Sequence, residues 1–443
     1  MSAGLEASNP ILAGSQLEAE RIYGKIQRHL IPILFICYLA NYIDRVNVGF
    51  AKLEMLTDLG MSEAVYGLGA GIFFIGYLAC GVPSNLILQR VGARRWISVM
   101  MVAWGICSAS LMFVKTPGGF YLLRFLTGAA EAGFFPGVVL YLTRWFPRAR
   151  HGRVLTIFMS AIPVSGLIGG PISGLMLQNF AAQQGGMAAW QWMFLLQGLP
   201  TVMLGIVVWF TLSDDANAAS WLTAGDKSAL RIALADDEQA SDRVATESFG
   251  AVLRRPNTWA LGAVYFSVQS GVYAIGFWLP SIIRTIGWRD PVAIGFISAV
   301  PYLAAVIFMI LMGRSADRRM RPRAHVLVAL ALGASGLLLA GFANGSPGIS
   351  LLGITMATMG TLTGLPMFWP LANNHLSAST AAAGFALINS CGQAAGFASP
   401  YLVGMIKDST GSTDDALYIL ALAIVAGMLI VISLRGRGTE SHR

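Results

Sequence analysis

The chain has 443 residues, of which 55% are hydrophobic and only 12% charged, and its mean hydropathy is +0.63. This composition excludes a disordered, collagenous or ordinary soluble chain. Crossing a hydrocarbon core of about 30 Å takes about 20 apolar residues, so there is length for about twelve crossings. Thirty Lys and Arg against 22 Asp and Glu give a net charge of +8, which in a membrane chain reads as topological bias rather than a nucleic-acid footprint.

Residues 1–25 are polar and contain Glu6, Glu18 and Glu20; without a basic start and an apolar stretch they are expected to stay in place as a cytoplasmic tail. Six nearly uncharged runs follow at 26–50, 64–87, 94–114, 118–146, 153–178 and 190–212, which place a first helical bundle at 26–213. Residues 214–255, with Asp214, Asp215, Asp226, Lys227, Arg231, Asp236, Asp237 and Glu238, are too charged to lie in lipid and read as a linker. Six more runs at 256–283, 291–313, 323–342, 348–370, 379–405 and 415–434 form a second bundle at 256–434, before a tail at 435–443. The fold class is therefore all-α, with twelve transmembrane helices. Loops on the side of the termini and linker hold most of the Lys and Arg, whereas the other side holds Lys52, Lys115, Arg284, Arg289 and Lys407. Both termini are accordingly expected in the cytoplasm. Cys37, Cys80, Cys107 and Cys391 are far apart in apolar runs and carry no metal or redox spacing.

The two halves echo each other after their second spans. Asn85-Leu-Ile-Leu-Gln89-Arg90-Val-Gly92-Ala-Arg94-Arg95 and Gly313-Arg314-Ser-Ala-Asp317-Arg318-Arg319-Met-Arg321 both resemble the G-x-x-x-D-R-x-G-R-R loop signature of the major facilitator superfamily, the first copy without its glycine and acid. Arg90, Arg94, Asp317 and Arg318 are the gating-loop residues this implies. In span 5, Gly166, Gly170 and Gly174 recur every four residues around Pro171, a pattern that suffices for close helix packing.

Ionisable groups deep in apolar helices are costly unless they have partners or water. Four stand out: Asp44 and Arg45 in span 1, and Arg124 and Glu131 in span 4. At about 1.5 Å per residue, Arg45 and Arg124 both lie roughly 8 to 9 Å below the outer surface. Glu131, two turns beyond Arg124, leaves the same face about 10 Å away along the axis, with Gly128 expected to keep that face open. Two arginines against two carboxylates cancel, and protonating both acids leaves positive charge for an anion. Arginine grips a carboxylate in bidentate fashion, while Asp44 and Glu131 are the groups that can carry protons. An ion-pair network holding spans 1 and 4 together is the structural alternative.

The second half has no ionisable residue at that depth. Its polar groups are Tyr265, Gln269 and Tyr273 in span 7, and Asn389, Ser390 and Gln393 in span 11, with Asn389 and Gln393 on one helix face. Tyr273, Trp278 and Trp369 offer flat apolar walls. Each serves equally as a helix-to-helix contact. All five histidines lie at or beyond the membrane edges, so none relays protons through the middle.

Tyr42-Ile-Asp44-Arg45-Val-Asn47, Pro83-Ser-Asn85, Arg124-Phe-Leu-Thr-Gly128-Ala-Ala-Glu131-Ala-Gly-Phe-Phe-Pro136, Trp145-Phe-Pro147 and Ala386-Leu-Ile-Asn389-Ser-Cys-Gly392 resemble the anion:cation symporter branch of the major facilitator superfamily. The stretches Phe50-Ala-Lys52-Leu-Glu54-Met and Gly71-Ile-Phe-Phe-Ile-Gly76-Tyr77 look closest to its bacterial tartrate, phthalate and hydroxyphenylacetate carriers. The resemblance implies two six-helix bundles related by pseudo-twofold symmetry and rocking around a central site. It further implies that Arg45 and Arg124 bind the anion, Asp44 and Glu131 couple protons, and Asn389 contacts substrate, with Tyr42, Tyr77, Tyr273, Trp369 and Gln393 as further binding candidates. The expected partners are a small carboxylate, protons and the bilayer of a bacterial inner membrane, with no cofactor, no metal, no nucleic acid and a monomeric chain. Exchange or facilitated diffusion without protons is the rival transport reading, and a substrate sensor the rival of another class. An enzyme is not expected, since neither an H-E-x-x-H zinc helix nor a histidine near a mid-membrane nucleophile is present.

Overall fold

The computed structural model describes residues 10–181, 184–241, 249–343, 346–376 and 380–434, and every regular element among them is helical. Eleven segments are long and apolar enough to cross a membrane: Ala19–Leu59, Glu63–Val91, Ala93–Phe113, Pro117–Thr143, Arg150–Asn179 and Ala189–Thr211 in the first half (spans 1 to 6), then Pro256–Thr285, Pro291–Arg319, Pro322–Gly341, Pro347–His375 and Asp414–Ser433 (spans 7 to 10 and 12). Span 11, Ala381–Thr410, has the length at 30 residues and no charge before Lys407, but its many Gly, Ala, Ser and amide residues make it less apolar. It lies against spans 2 and 7.

The helices begin where backbone donors are spared or capped. Proline sits in the first turn of spans 4 and 7 to 10, where its missing N–H costs nothing. Ser62, Thr116 and Asp290 accept from Val65, Gly119 and Ala293 as N-caps. Gly60 and Gly411 end spans 1 and 11 with φ of 59° and 76°, a region open to glycine. Small residues set the closest approaches: Gly336, Gly353 and Gly360 bring spans 9 and 10 together, and Gly105 and Gly198 do so for spans 3 and 6. Phe113, Val82, Met203, Phe210, Leu352 and Leu422 remain exposed on the outside, as a lipid-facing surface requires.

Two features depart from the sequence reading. Span 1 does not end at residue 50: the helix breaks only briefly at Asn47 and resumes over Val48–Leu59, so Lys52 is a buried helical residue and not a loop cation. The helix also starts earlier, at Pro10. Its extension is clasped by the linker helix Ala224–Ser241, whose Asp226 takes hydrogen bonds from Arg21 (3.1 Å) and Lys25 (3.2 Å). Trp221 stacks on both Trp145 and His29. The linker thus docks on the first half.

The halves meet at the end remote from the linker. There Gly67 and Gly71 of span 2 press on the backbone of Pro400 and Phe397, and Gly170 and Gly174 of span 5 on that of Gly295 and Pro291 in span 8. The glycine repeat of span 5 is therefore an inter-half seam. Inter-half hydrogen bonds and ion pairs cluster at this far end, and Tyr273 of span 7 also reaches Arg45 of span 1 at the centre.

Candidate functional site

Arg45 and Glu131 form an ion pair in the middle of the first half. Around the Arg45 guanidinium stand the rings of Phe73, Tyr42, Tyr77 and Phe74, their centroids 5.2 to 6.0 Å from its carbon. Such a cage stabilises a cation through the ring faces while keeping water out. Glu131 is 1% exposed, and its second oxygen has no hydrogen-bond partner.

Arg124 is also fully buried, at 0% exposure, but makes no ion pair among the described residues. Its guanidinium donates to the carbonyls of Gly69 and Ala70 at 3.4 Å each and lies over Phe73 at 4.9 Å; one terminal nitrogen is unpartnered. Arg45 and Arg124 therefore share the Phe73 ring, which places both cations in one region. Gly128 does not hold that face open, as the sequence suggested. A β-carbon there would collide with the carbonyl of Phe73, so this glycine lets spans 2 and 4 touch and brings the Gly69 and Ala70 carbonyls within reach of Arg124.

Asp44 stands apart from this group. Adjacent residues on a helix project about 100° apart, and while Arg45 faces Glu131, Asp44 turns toward spans 3 and 6. It accepts hydrogen bonds from Thr201 (2.7 Å), Trp104 Nε1 (3.2 Å) and Ser108 (3.3 Å) and is 1% exposed. Three neutral donors thus satisfy a buried carboxyl that makes no ion pair among the described residues. Trp104 and Ser108, one turn apart, and Thr201, a polar residue in an apolar span, are signals in the sequence that could have found this network.

From the second half, Tyr273 lies against Phe74, with ring centroids 4.4 Å apart, and donates to Gln393 Oε1 at 3.3 Å. Trp369 joins Tyr265 and Phe385 in an aromatic cluster. Asn389, one turn from Gln393 toward the linker end, is half-buried. Tyr42, Tyr77, Arg45, Glu131, Tyr273 and Gln393 are thus gathered at the interface of the halves, with Arg124 beside them and Trp369 farther along span 10. The gating-loop residues lie elsewhere. Arg94 pairs with Asp214 at 3.0 Å, whereas Arg90, Asp317 and Arg318 are exposed and make no ion pair among the described residues. No three His, Cys, Asp or Glu side chains converge as metal ligands among the described residues.

Two helical halves meeting around a buried polar centre define a membrane carrier of the major facilitator type. The sequence profile of the Major Facilitator Superfamily matches residues 34–400, and the chain belongs to that superfamily. It is 44% identical to the "Putative metabolite transport protein NicT" of Pseudomonas putida, over 93% of this chain and 94% of that protein. It is 43% identical to a "Putative tartrate transporter" of Agrobacterium vitis, over 95% and 93%. Its fold matches the xylose transporter XylE of E. coli with a TM-score of 0.71 over 91% of this chain and 97% of that one, at 13% identity.

Proposed function

We propose that this transporter takes up a small organic anion, a carboxylate of aromatic, hydroxy-acid or sugar-acid type, by proton symport with alternating access. Its setting is a bacterial inner membrane, with termini and linker in the cytoplasm. The observation that carries this reading is Arg124: a guanidinium buried to 0% exposure, with one terminal nitrogen lacking a hydrogen-bond partner and no ion pair among the described residues. A buried unpaired charge costs several kcal/mol and is retained where it serves a ligand. Arg45 and Glu131 neutralise each other, so the centre carries one excess positive charge, which a substrate carboxylate would balance.

Glu131 and a substrate anion compete for Arg45. Protonation of Glu131 releases that guanidinium, so that proton and anion favour each other's binding. Asp44, in its own hydroxyl and indole network, is the second proton carrier, acting on the position of span 1 and not on the anion. Gln393, Asn389 and Tyr273 would read the rest of the substrate, and Trp369 would wall it. With the halves joined at the far end, the centre faces the linker side, which Arg90, Arg94, Asp317 and Arg318 would close in the opposite state. The kinship to a protein named for tartrate transport supports a carboxylate.

A thermal-shift screen of purified protein against aromatic, hydroxy and sugar acids tests the anion. One class is expected to stabilise the wild type, by about 2.7 kcal/mol at 100 times its Kd, and to leave Arg124→Gln unmoved. Equal stabilisation of both proteins would refute the anion site. Exchange without protons is the second reading, favoured by the Arg45–Glu131 pair being already closed; it predicts uptake indifferent to a proton ionophore.

A further inference from the structure

At the far end, four charged residues from both halves form one cluster, and its two lysines approach the same tryptophan ring. Lys52 of span 1 is 4% exposed; its ammonium lies 3.4 Å from the Trp278 ring centroid and pairs with Glu63 of span 2 at 2.5 Å. Lys407 of span 11 pairs with the other oxygen of Glu63 at 2.7 Å and approaches the same ring at 5.6 Å. Asp408, next along, accepts hydrogen bonds from the backbone N–H groups of Glu63 and Ala64 at 2.9 and 2.8 Å. Those are first-turn donors of span 2, which a helix ordinarily satisfies from its own chain or from water. Here a carboxylate of the other half supplies the cap, at the positive end of the helix dipole.

We propose that Lys52, Glu63, Lys407 and Asp408, with the two lysines over the Trp278 ring, are a separable latch that holds the far side of the transporter shut. The argument lies in how the charges divide. Lys52 and Glu63 belong to the first half, Lys407 and Asp408 to the second. In the closed state all four are mutually compensated. When the halves part, each keeps one cation and one anion, so neither is left with an uncompensated charge. Opening breaks the Lys407–Glu63 pair, the Asp408 cap and the contact of Lys52 with Trp278, and leaves the Lys52–Glu63 pair intact. A buried inter-half pair with one charge on each side would instead strand a charge on both surfaces at every cycle. This division suits a contact that must be made and broken repeatedly.

The proposal rests on the reading that the halves rock about the central site, and the test separates the two. Gly276 faces the crevice between the halves, and a β-carbon there meets only Val46 at 3.5 Å. Gly276→Cys is therefore a tolerable reporter. A membrane-impermeant maleimide is applied from the far side to cells carrying this variant, with the native cysteines of the wild type as background. Lys407→Gln and Asp408→Asn are each expected to raise the labelling rate about 5- to 13-fold, the effect of exchanging a charge-assisted contact for a weaker one to a neutral amide in the closed state. Lys407→Arg should leave it near the parent rate. Unchanged labelling in both neutral variants, with protein still monodisperse on purification, overturns the latch. Absence of labelling in every variant, even with a transported acid present, overturns the rocking reading itself.

Discussion

Replacing Glu131 by glutamine keeps the shape of the side chain and removes the charge that holds Arg45. A charge-assisted hydrogen bond contributes about 1.5 to 3 kcal/mol net, and exchanging the carboxylate for an amide leaves Arg45 a charged donor but removes the ionic acceptor, which moves the bond from the upper toward the lower end of that range. The variant therefore grips Arg45 about 1 to 1.5 kcal/mol less tightly, and an anion competing for that guanidinium should bind roughly 5- to 13-fold tighter at a pH where the native carboxyl is ionised. The pH dependence has a definite sign. In the wild type a proton must reach Glu131 before Arg45 is free, so anion affinity falls as pH rises, approaching tenfold per unit where one proton is taken up with the substrate. In Glu131→Gln the affinity should be flat in pH as far as this site is concerned. Titration calorimetry at several pH values reads both effects, and uptake into vesicles with an imposed proton gradient reads the third: uphill accumulation should disappear while counterflow persists. Concentrative uptake at the wild-type level, or affinity that is weaker and still falls with pH, would refute the coupling role of Glu131.

Gly128→Ala forces a methyl group against the Phe73 carbonyl; such overpacking costs about 1 to 3 kcal/mol, so the melting temperature in detergent should fall, whereas Gly118→Ala, with open space around it, should leave it unchanged. Thr201→Val removes the 2.7 Å hydrogen bond to Asp44 and should lower stability by about 1.5 to 3 kcal/mol, more than Ser108→Ala does with its 3.3 Å contact, as read by thermal unfolding. Burial alone would raise the Asp226 carboxyl, but hydrogen bonds from the Thr223 backbone and from Lys25 outweigh it and hold the group below the usual carboxylate range. Stability from a group held low is present above its unfolded pKa and fades as pH drops through the folded value. Hydrogen exchange over residues 224–234 should accordingly speed up below about pH 4. Asp226→Asn should produce that loosening at neutral pH, at a cost of about 1 kcal/mol or less because Arg21 is largely and Lys25 partly solvated.

The parts of this protein legible in its sequence are those with a local period or a local cost. Apolar runs between charged loops give the spans, because a helix must cover its length in lipid with uncharged residues. Arg45, Arg124 and Glu131 stand out because a charge in such a run is expensive wherever the chain goes. What escapes is pairing between distant segments. Lys52 reads as a loop cation from its neighbours in sequence; the Glu63 carboxylate at the start of span 2, which pairs with it, and the Trp278 ring of span 7, which it lies over, are what allow it to be buried. No periodicity links them.

Asp44 is the intermediate case. Grouping it with Arg45 treats adjacency in sequence as adjacency in space, although one residue of a helix turns the side chain by about 100°. That rotation alone says that Asp44 and Arg45 serve different neighbours, and the Thr201, Trp104 and Ser108 donors bear this out. The consequence reaches the charge balance on which anion binding turns. With Asp44 removed from the central group, two guanidiniums face one carboxylate even when every acid is ionised, so on the proposed function an anion would have a place to bind before any proton arrives. The proton on Glu131 then adds a second point of attachment. On this account, neutralising Asp44 should alter how the protein moves between its states, while the affinity for anion in a fixed state stays where Arg45, Arg124 and Glu131 set it.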